Sequence, residues 1–111
     1  MSKSPHRRQI WKVKLDKERP AVVVSREAII SGTKEIIIVP MSASIPLGSP
    51  AGVRCVASGN GLREDSTALC PLVKAVSKSV FKEYVGDLPH AEFADVLKGV
   101  QHAIHADEQL L

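Results

Sequence analysis

From Gln9 onward apolar and polar residues alternate: Ile10 and Trp11, then Val13 and Leu15, with Lys12 and Lys14 between them. That spacing predicts a half-buried β-strand. Asp16-Lys17-Glu18 is too short for a crossover, so it predicts a hairpin into the next apolar run. That run, Ala21 to Val24, is continuous and mostly β-branched, the pattern of a strand buried on both faces. Pro20 is expected at its first position, where a missing N–H costs the ladder least, and it holds Arg19 extended before it. Ser25 is placed to cap a brief helical turn through Ile30, broken at Ser31-Gly32-Thr33. Ile36 to Val39 predicts a third buried strand, ended by Pro40. Met41 to Ser44 then leads into a Pro/Gly/Ser-rich loop, Pro46 to Gly52, expected to be exposed and flexible.

Val53 to Val56 predicts a fourth strand, and Gly59-Asn60-Gly61 a turn. Thr67 to Val76 holds two strand-like pieces interrupted at Pro71. Ser77 to Phe81 predicts a single turn and Tyr84-Val85 a last short strand. From Pro89 the period becomes helical, with Phe93, Val96, Leu97, Val100 and Ile104 on one face. Pro89 suits the first helical position, and Ala106 to Leu111 is expected to fray. Short strands followed by one amphipathic helix predict a mainly β (α+β) chain: a small, strongly bent sheet or barrel with a C-terminal helix packed on it.

A length of 111 residues fits one domain, expected over residues 8–111 behind a mobile basic tail of residues 1–7. Aromatic residues make up 4%, so the core is expected to be aliphatic and base stacking is a poor way for this chain to hold nucleic acid. No segment is long and apolar enough to span a membrane and no signal sequence opens the chain, so a cytoplasmic location is expected. Cys55 and Cys70 lack C-x-x-C spacing and are expected as buried reduced thiols. His90, His102 and His105 have no nearby cysteine, so no metal site is expected. Charge is uneven. Through Arg19 seven basic side chains face two acidic ones, whereas the rest holds eight against ten. A basic end on a near-neutral body fits a phosphate-bearing or acidic partner.

Within that basic end, Arg19 stands out, because a guanidinium at a rigid strand mouth can grip a phosphate in two places. The residues around it resemble a known family. Arg8-Gln9-Ile10-Trp11 with Val13-Lys14-Leu15-Asp16 is similar to the opening strand of the MazF/PemK toxins of bacterial toxin–antitoxin systems. Arg19-Pro20-Ala21-Val22-Val23-Val24-Ser25 resembles that family's most recognisable signature. Val39-Pro40-Met41-Ser42 resembles the strand end that carries a hydroxyl residue, usually threonine. Asp65-Ser66 through Leu69-Cys70 and Val85-Gly86-Asp87-Leu88-Pro89 resemble its later segments.

The resemblance implies an SH3-like β-barrel with a C-terminal amphipathic helix, a homodimer, and cleavage of single-stranded RNA without metal or other cofactor. In that chemistry the 2′-hydroxyl attacks the adjacent phosphate, leaving a 2′,3′-cyclic phosphate and a 5′-hydroxyl. Arg19 and Ser42 carry over as the catalytic residues, with Lys12, Lys14, Lys17, Ser44 and Lys74 as candidate RNA contacts. The implied partner is a cognate antitoxin with an acidic, partly disordered tail. The three-residue Asp16-Lys17-Glu18 connection replaces a longer Gly- and Glu-bearing loop usual in the family. Two other readings keep the fold: a gyrase-poisoning toxin, or a catalytically weakened member that binds RNA or antitoxin.

Overall fold

The computed structural model describes residues 4–44 and 52–108, the last four of them as backbone only. β1 (Gln9–Lys14) and β2 (Glu18–Val23) form the expected antiparallel hairpin, with Lys12 opposite Pro20 and Val13 opposite Arg19. Alternate residues at the end of β2 enter different cores. Ala21 and Val23 pack with Trp11, Val13, Ile36 and Ile38. Val22 and Val24 pack with Ile10, Val39 and Met41. The sheet is buried on both faces here, which is what the unbroken apolar run requires.

β3 (Glu35–Ser42) is the hub of the sheet. On one side it pairs with β2, from Ala21 opposite Pro40 to Val23 opposite Ile38. On the other, residues 35–38 pair with β6 (Lys74–Ser77), and Met41 and Ser42 pair with β5 (Ser66–Leu69). The sequence ended this strand at Pro40, but the strand continues to Ser42. Pro40 falls between the β6 and β5 pairings, where the ladder needs no donor from it. Pro20 likewise is the third residue of β2, not the first. It lies outside the β2–β3 register and is paired on one side only.

The strand path is β4 (Gly52–Cys55), β5, β3, β2, β1 and β7 (Phe81–Asp87), with every neighbouring pair antiparallel. β4 and β7 end the path, so the hydrogen-bonded sheet is open. Backbone packing draws it toward a barrel. Gly61 lies against Val85, and Gly86 against Asn60, so closely that a Cβ on either would collide with the opposing main chain. β7 is longer than the predicted Tyr84-Val85 strand. Two register irregularities against β1 break its alternation, which hid the pattern. The interruption at Pro71 is a 3-10 turn, Cys70–Leu72, that carries the chain from β5 to β6.

Ser25 does not cap α1 (Glu27–Gly32), whose N-cap is Arg26 without a side-chain bond. The Ser25 hydroxyl instead accepts from Ile37 N at 2.6 Å, tying β2 to β3. α2 (His90–Glu108) begins one residue after Pro89 and packs Phe93 and Val96 into one core. Ile104, predicted on the same face, is exposed, and the helix continues through Ala106 to Glu108. Within the expected N-terminal tail, Arg7 N donates to Glu27 Oε1 at 2.8 Å, and the Arg7 guanidinium lies 5.0 Å from the centre of the Phe93 ring. Residues 46–51 of the predicted loop lie outside the described residues, and Gly52 begins β4. No described helix is long and apolar enough to cross a membrane.

Candidate functional site

The β2–β3 register pairs Ala21 with Pro40, and continuing it two residues sets Arg19 across from Ser42. Both side chains line one open cleft of about 530 Å³, within the range of small-molecule sites. Its other walls come from β1 (Lys12), the hairpin connection (Lys17), the segment after the Gly61 turn (Arg63, Glu64), and β7 (Glu83, Tyr84). Local sequence explains how each is held. Arg19 and Ser42 sit on strand ends, where neighbouring backbone bonds fix the main chain.

The Arg19 side chain is 26% exposed, with Nη2 3.8 Å from Asp16 Oδ1. Its Nε is buried and has no hydrogen-bond partner among the described residues. An unpaired buried donor is costly, so the described residues leave the Arg19 guanidinium incompletely satisfied. Asp16 is held below the usual carboxylate range by the Lys17 N–H that donates to it, with a smaller contribution from the Arg19 charge. The Ser42 hydroxyl lies 3.1 Å from Ser44 Oγ and accepts from Ser44 N at 3.3 Å.

The structure brings Arg19, Ser42, Lys12 and Lys17 to one cleft. Ser44 bonds to Ser42 but is not part of the lining. Lys14 is exposed opposite Glu18 and is not part of the lining. Lys74 lines a neighbouring hollow of about 340 Å³, which shares Arg19 with the main cleft and adds Leu72 and Pro40. The candidate RNA contacts around Arg19 were basic side chains and serine, but Glu18, Glu64 and Glu83 also line the cleft, so its wall is of mixed sign. Lys12 Nζ is 3.7 Å from Glu83 Oε2.

Sequence reasoning missed Arg63, Glu64, Glu83 and Tyr84. Their only local signal was the Gly59-Asn60-Gly61 turn before Arg63, and nothing in the sequence ties β7 to Arg19. The histidine nearest the N-terminus, His6, pairs with Glu27 at 3.0 Å. Among the described residues, no group of three His, Cys, Asp or Glu side chains is placed to hold a metal ion. Cys55 and Cys70 are free thiols in the core with α2, as expected. Burial raises both, and with the nearby Glu92 charge it pushes Cys55 up to about 12.

A planar guanidinium and a hydroxyl facing one open cleft can together donate to the oxygens of a phosphoryl group. The sequence profile described as PemK-like, MazF-like toxin of type II toxin-antitoxin system matches residues 6–104. Among solved structures the chain is similar to the Mycobacterium tuberculosis toxin MazF-mt6, at 22% identity and a TM-score of 0.78, covering 87% of this chain and 96% of that one. It is similar to an endoribonuclease in complex with its cognate antitoxin from Mycobacterial species, at 18% identity and a TM-score of 0.79, covering 91% and 95%. It is also similar to MazE-MazF from Deinococcus radiodurans, at 18% identity and a TM-score of 0.78, covering 93% and 97%.

Proposed function

The chain belongs to the PemK-like, MazF-like toxins of type II toxin-antitoxin systems, and from that premise we propose that it is an endoribonuclease that cleaves single-stranded RNA in the Arg19–Ser42 cleft. One observation carries the reading. Arg19 and Ser42 line the same cleft from adjacent strand ends, and the Arg19 guanidinium is left incompletely hydrogen-bonded among the described residues.

In the reaction the 2′-oxygen of one nucleotide attacks its own 3′-phosphate. A P–O bond to the 2′-oxygen forms as the bond to the 5′-oxygen of the next nucleotide breaks. The attacking hydroxyl loses a proton and the departing oxygen gains one, so the products are a 2′,3′-cyclic phosphate and a 5′-hydroxyl. Negative charge grows on the phosphoryl oxygens in between. Arg19 stabilises that charge and holds the phosphate in line, and Ser42 donates to the same group. Lys12 and Lys17 stand on the cleft walls to meet the RNA backbone, with Lys14, Ser44 and Lys74 as outlying contacts. Neither metal nor cofactor takes part.

We further propose a cognate antitoxin whose acidic, partly disordered tail folds across this cleft, and a homodimer as the working form. The antitoxin complexes among the similar structures support the first. The deciding experiment incubates the purified protein with a long single-stranded RNA in EDTA. Fragments bearing 2′,3′-cyclic phosphate and 5′-hydroxyl ends are expected. RNA binding without cleavage would instead indicate a weakened enzyme, and arrested gyrase–DNA complexes a gyrase poison.

A further inference from the structure

We propose that Arg63 is a second phosphate-binding residue of the cleft, gripping the RNA backbone at a phosphate that flanks the scissile one. The inference rests on reading the cleft as an RNA site.

Three observations single out Arg63. First, the cleft cations that β1 and β2 supply are paired. Lys12 faces Glu83 at 3.7 Å and Arg19 faces Asp16 at 3.8 Å. Among the described residues, Arg63 makes no ion pair and no side-chain hydrogen bond, although it is exposed and lines the cleft. Second, its segment is clasped at both ends. Asn60, 1% exposed, donates from Nδ2 to Val56 O at 2.9 Å and accepts from Leu62 N at 3.1 Å. Asp65 accepts from Ala57 N and from the Arg54 guanidinium, each at 2.8 Å. Third, the Gly61 main chain is pressed onto β7, and Arg63 lines the cleft together with Glu83 and Tyr84 of that strand.

A cation whose backbone is already held has only its side chain left to order when it meets an anion. Lys17, by contrast, stands on the short hairpin connection. Arg63 and Arg19 reach the cleft from segments far apart in sequence, one after the Gly61 turn and one on β2. Two such cations suit two successive phosphates of an extended strand. This assigns Arg63 to binding, with the chemical step left to Arg19 and Ser42.

The test measures binding of a single-stranded oligonucleotide with methylated 2′-hydroxyls, which cannot be cleaved, over a range of salt concentrations. Arg63→Ala should weaken binding and lower the slope of log affinity against log salt by about 0.7, as expected for one lost contact to a single strand. On cleavable RNA its KM should rise while kcat stays within about twofold, the mark of an interaction made equally in ground and transition states. Arg63→Lys should restore most of the affinity. Unchanged affinity and slope in Arg63→Ala, beside a wild type that binds and cleaves, would overturn this inference alone. A fall in kcat with unchanged affinity would also overturn it. A wild type that neither binds nor cleaves RNA would overturn both this inference and the reading beneath it.

Discussion

Ser42 is the residue at which the proposed chemistry is most exposed to test, since its hydroxyl stands where the family usually has threonine. Ser42→Ala should lower the cleavage rate on the order of 10²-fold, because a donor to a developing oxyanion is lost. RNA affinity should fall less. Ser42→Thr keeps the same oxygen and should retain much of the activity. Arg19→Ala should cost at least as much as Ser42→Ala, since it removes charge and bidentate grip together. Arg19→Lys should rescue poorly, because an ammonium cannot reproduce the planar fork or the buried Nε donor. Single-turnover rates beside equilibrium binding separate these effects. Ser44→Ala should be milder, because among the described residues Ser44 bonds to Ser42 and does not line the cleft. A dead Ser44→Ala with an active Ser42→Ala would move the hydroxyl role by two positions.

Among the elements, the turn that packs against β7 separates two kinds of glycine. Gly59 has φ 73° with open space where a Cβ would stand. Gly59→Ala should cost only the left-handed backbone penalty, about 1–2 kcal/mol. Gly61 has φ 85°, and its Cβ would strike the Val85 main chain. Gly61→Ala should therefore cost clearly more, and it should disturb the cleft because Arg63 follows. Urea unfolding midpoints rank the two, and the reverse order would contradict the closing contact. The junction of β4, the Cys70 turn and α2 gives a pH prediction. An unfolded Cys55 thiol ionises near 9.0, whereas burial holds the folded one protonated to about 12. The folded state thus keeps a proton that the unfolded state loses. Stability contributed by the neutral thiol is complete below pH 9 and declines as pH rises toward 12. Cys55→Ala should shrink the alkaline loss seen in a series of melts, and an identical loss in both proteins would count against the buried thiol as its source.

For the whole molecule, charge distribution and sheet edges set the outward behaviour. The chain through Arg19 is basic while the remainder is slightly acidic, so an acidic antitoxin tail should be drawn to the β1–β2 side. Affinity for that tail should weaken as salt rises, in step with a screened interaction. A complex insensitive to salt and confined to α2 would argue against docking in the cleft. The strand path ends at β4 and β7, and Leu72 and Ile37 are exposed apolar residues on or beside the sheet. A symmetric dimer would cover such surface, and sedimentation showing only monomer at tens of micromolar would contradict the homodimer.

What the sequence determined by itself was whatever depends on near neighbours along the chain. The alternation around Lys12 and Lys14 specified β1, the unbroken Ala21–Val24 run specified a strand buried twice, and the 3.6-residue period specified α2. Arg19 was legible because a proline beside it restrains its backbone, and Ser42 through the family resemblance. Tertiary structure decided the rest, because those features depend on which distant segment lies alongside. Pro40 reads as a strand end until the gap between β6 and β5 removes the demand for its N–H. β7 hid behind bulges that exist only against β1. Ser25 reads as a helix cap until Ile37 claims its hydroxyl. Arg63, Glu64 and Glu83 carry no local mark of function. They join Arg19 because two glycines without a Cβ let the Gly61 turn close on β7.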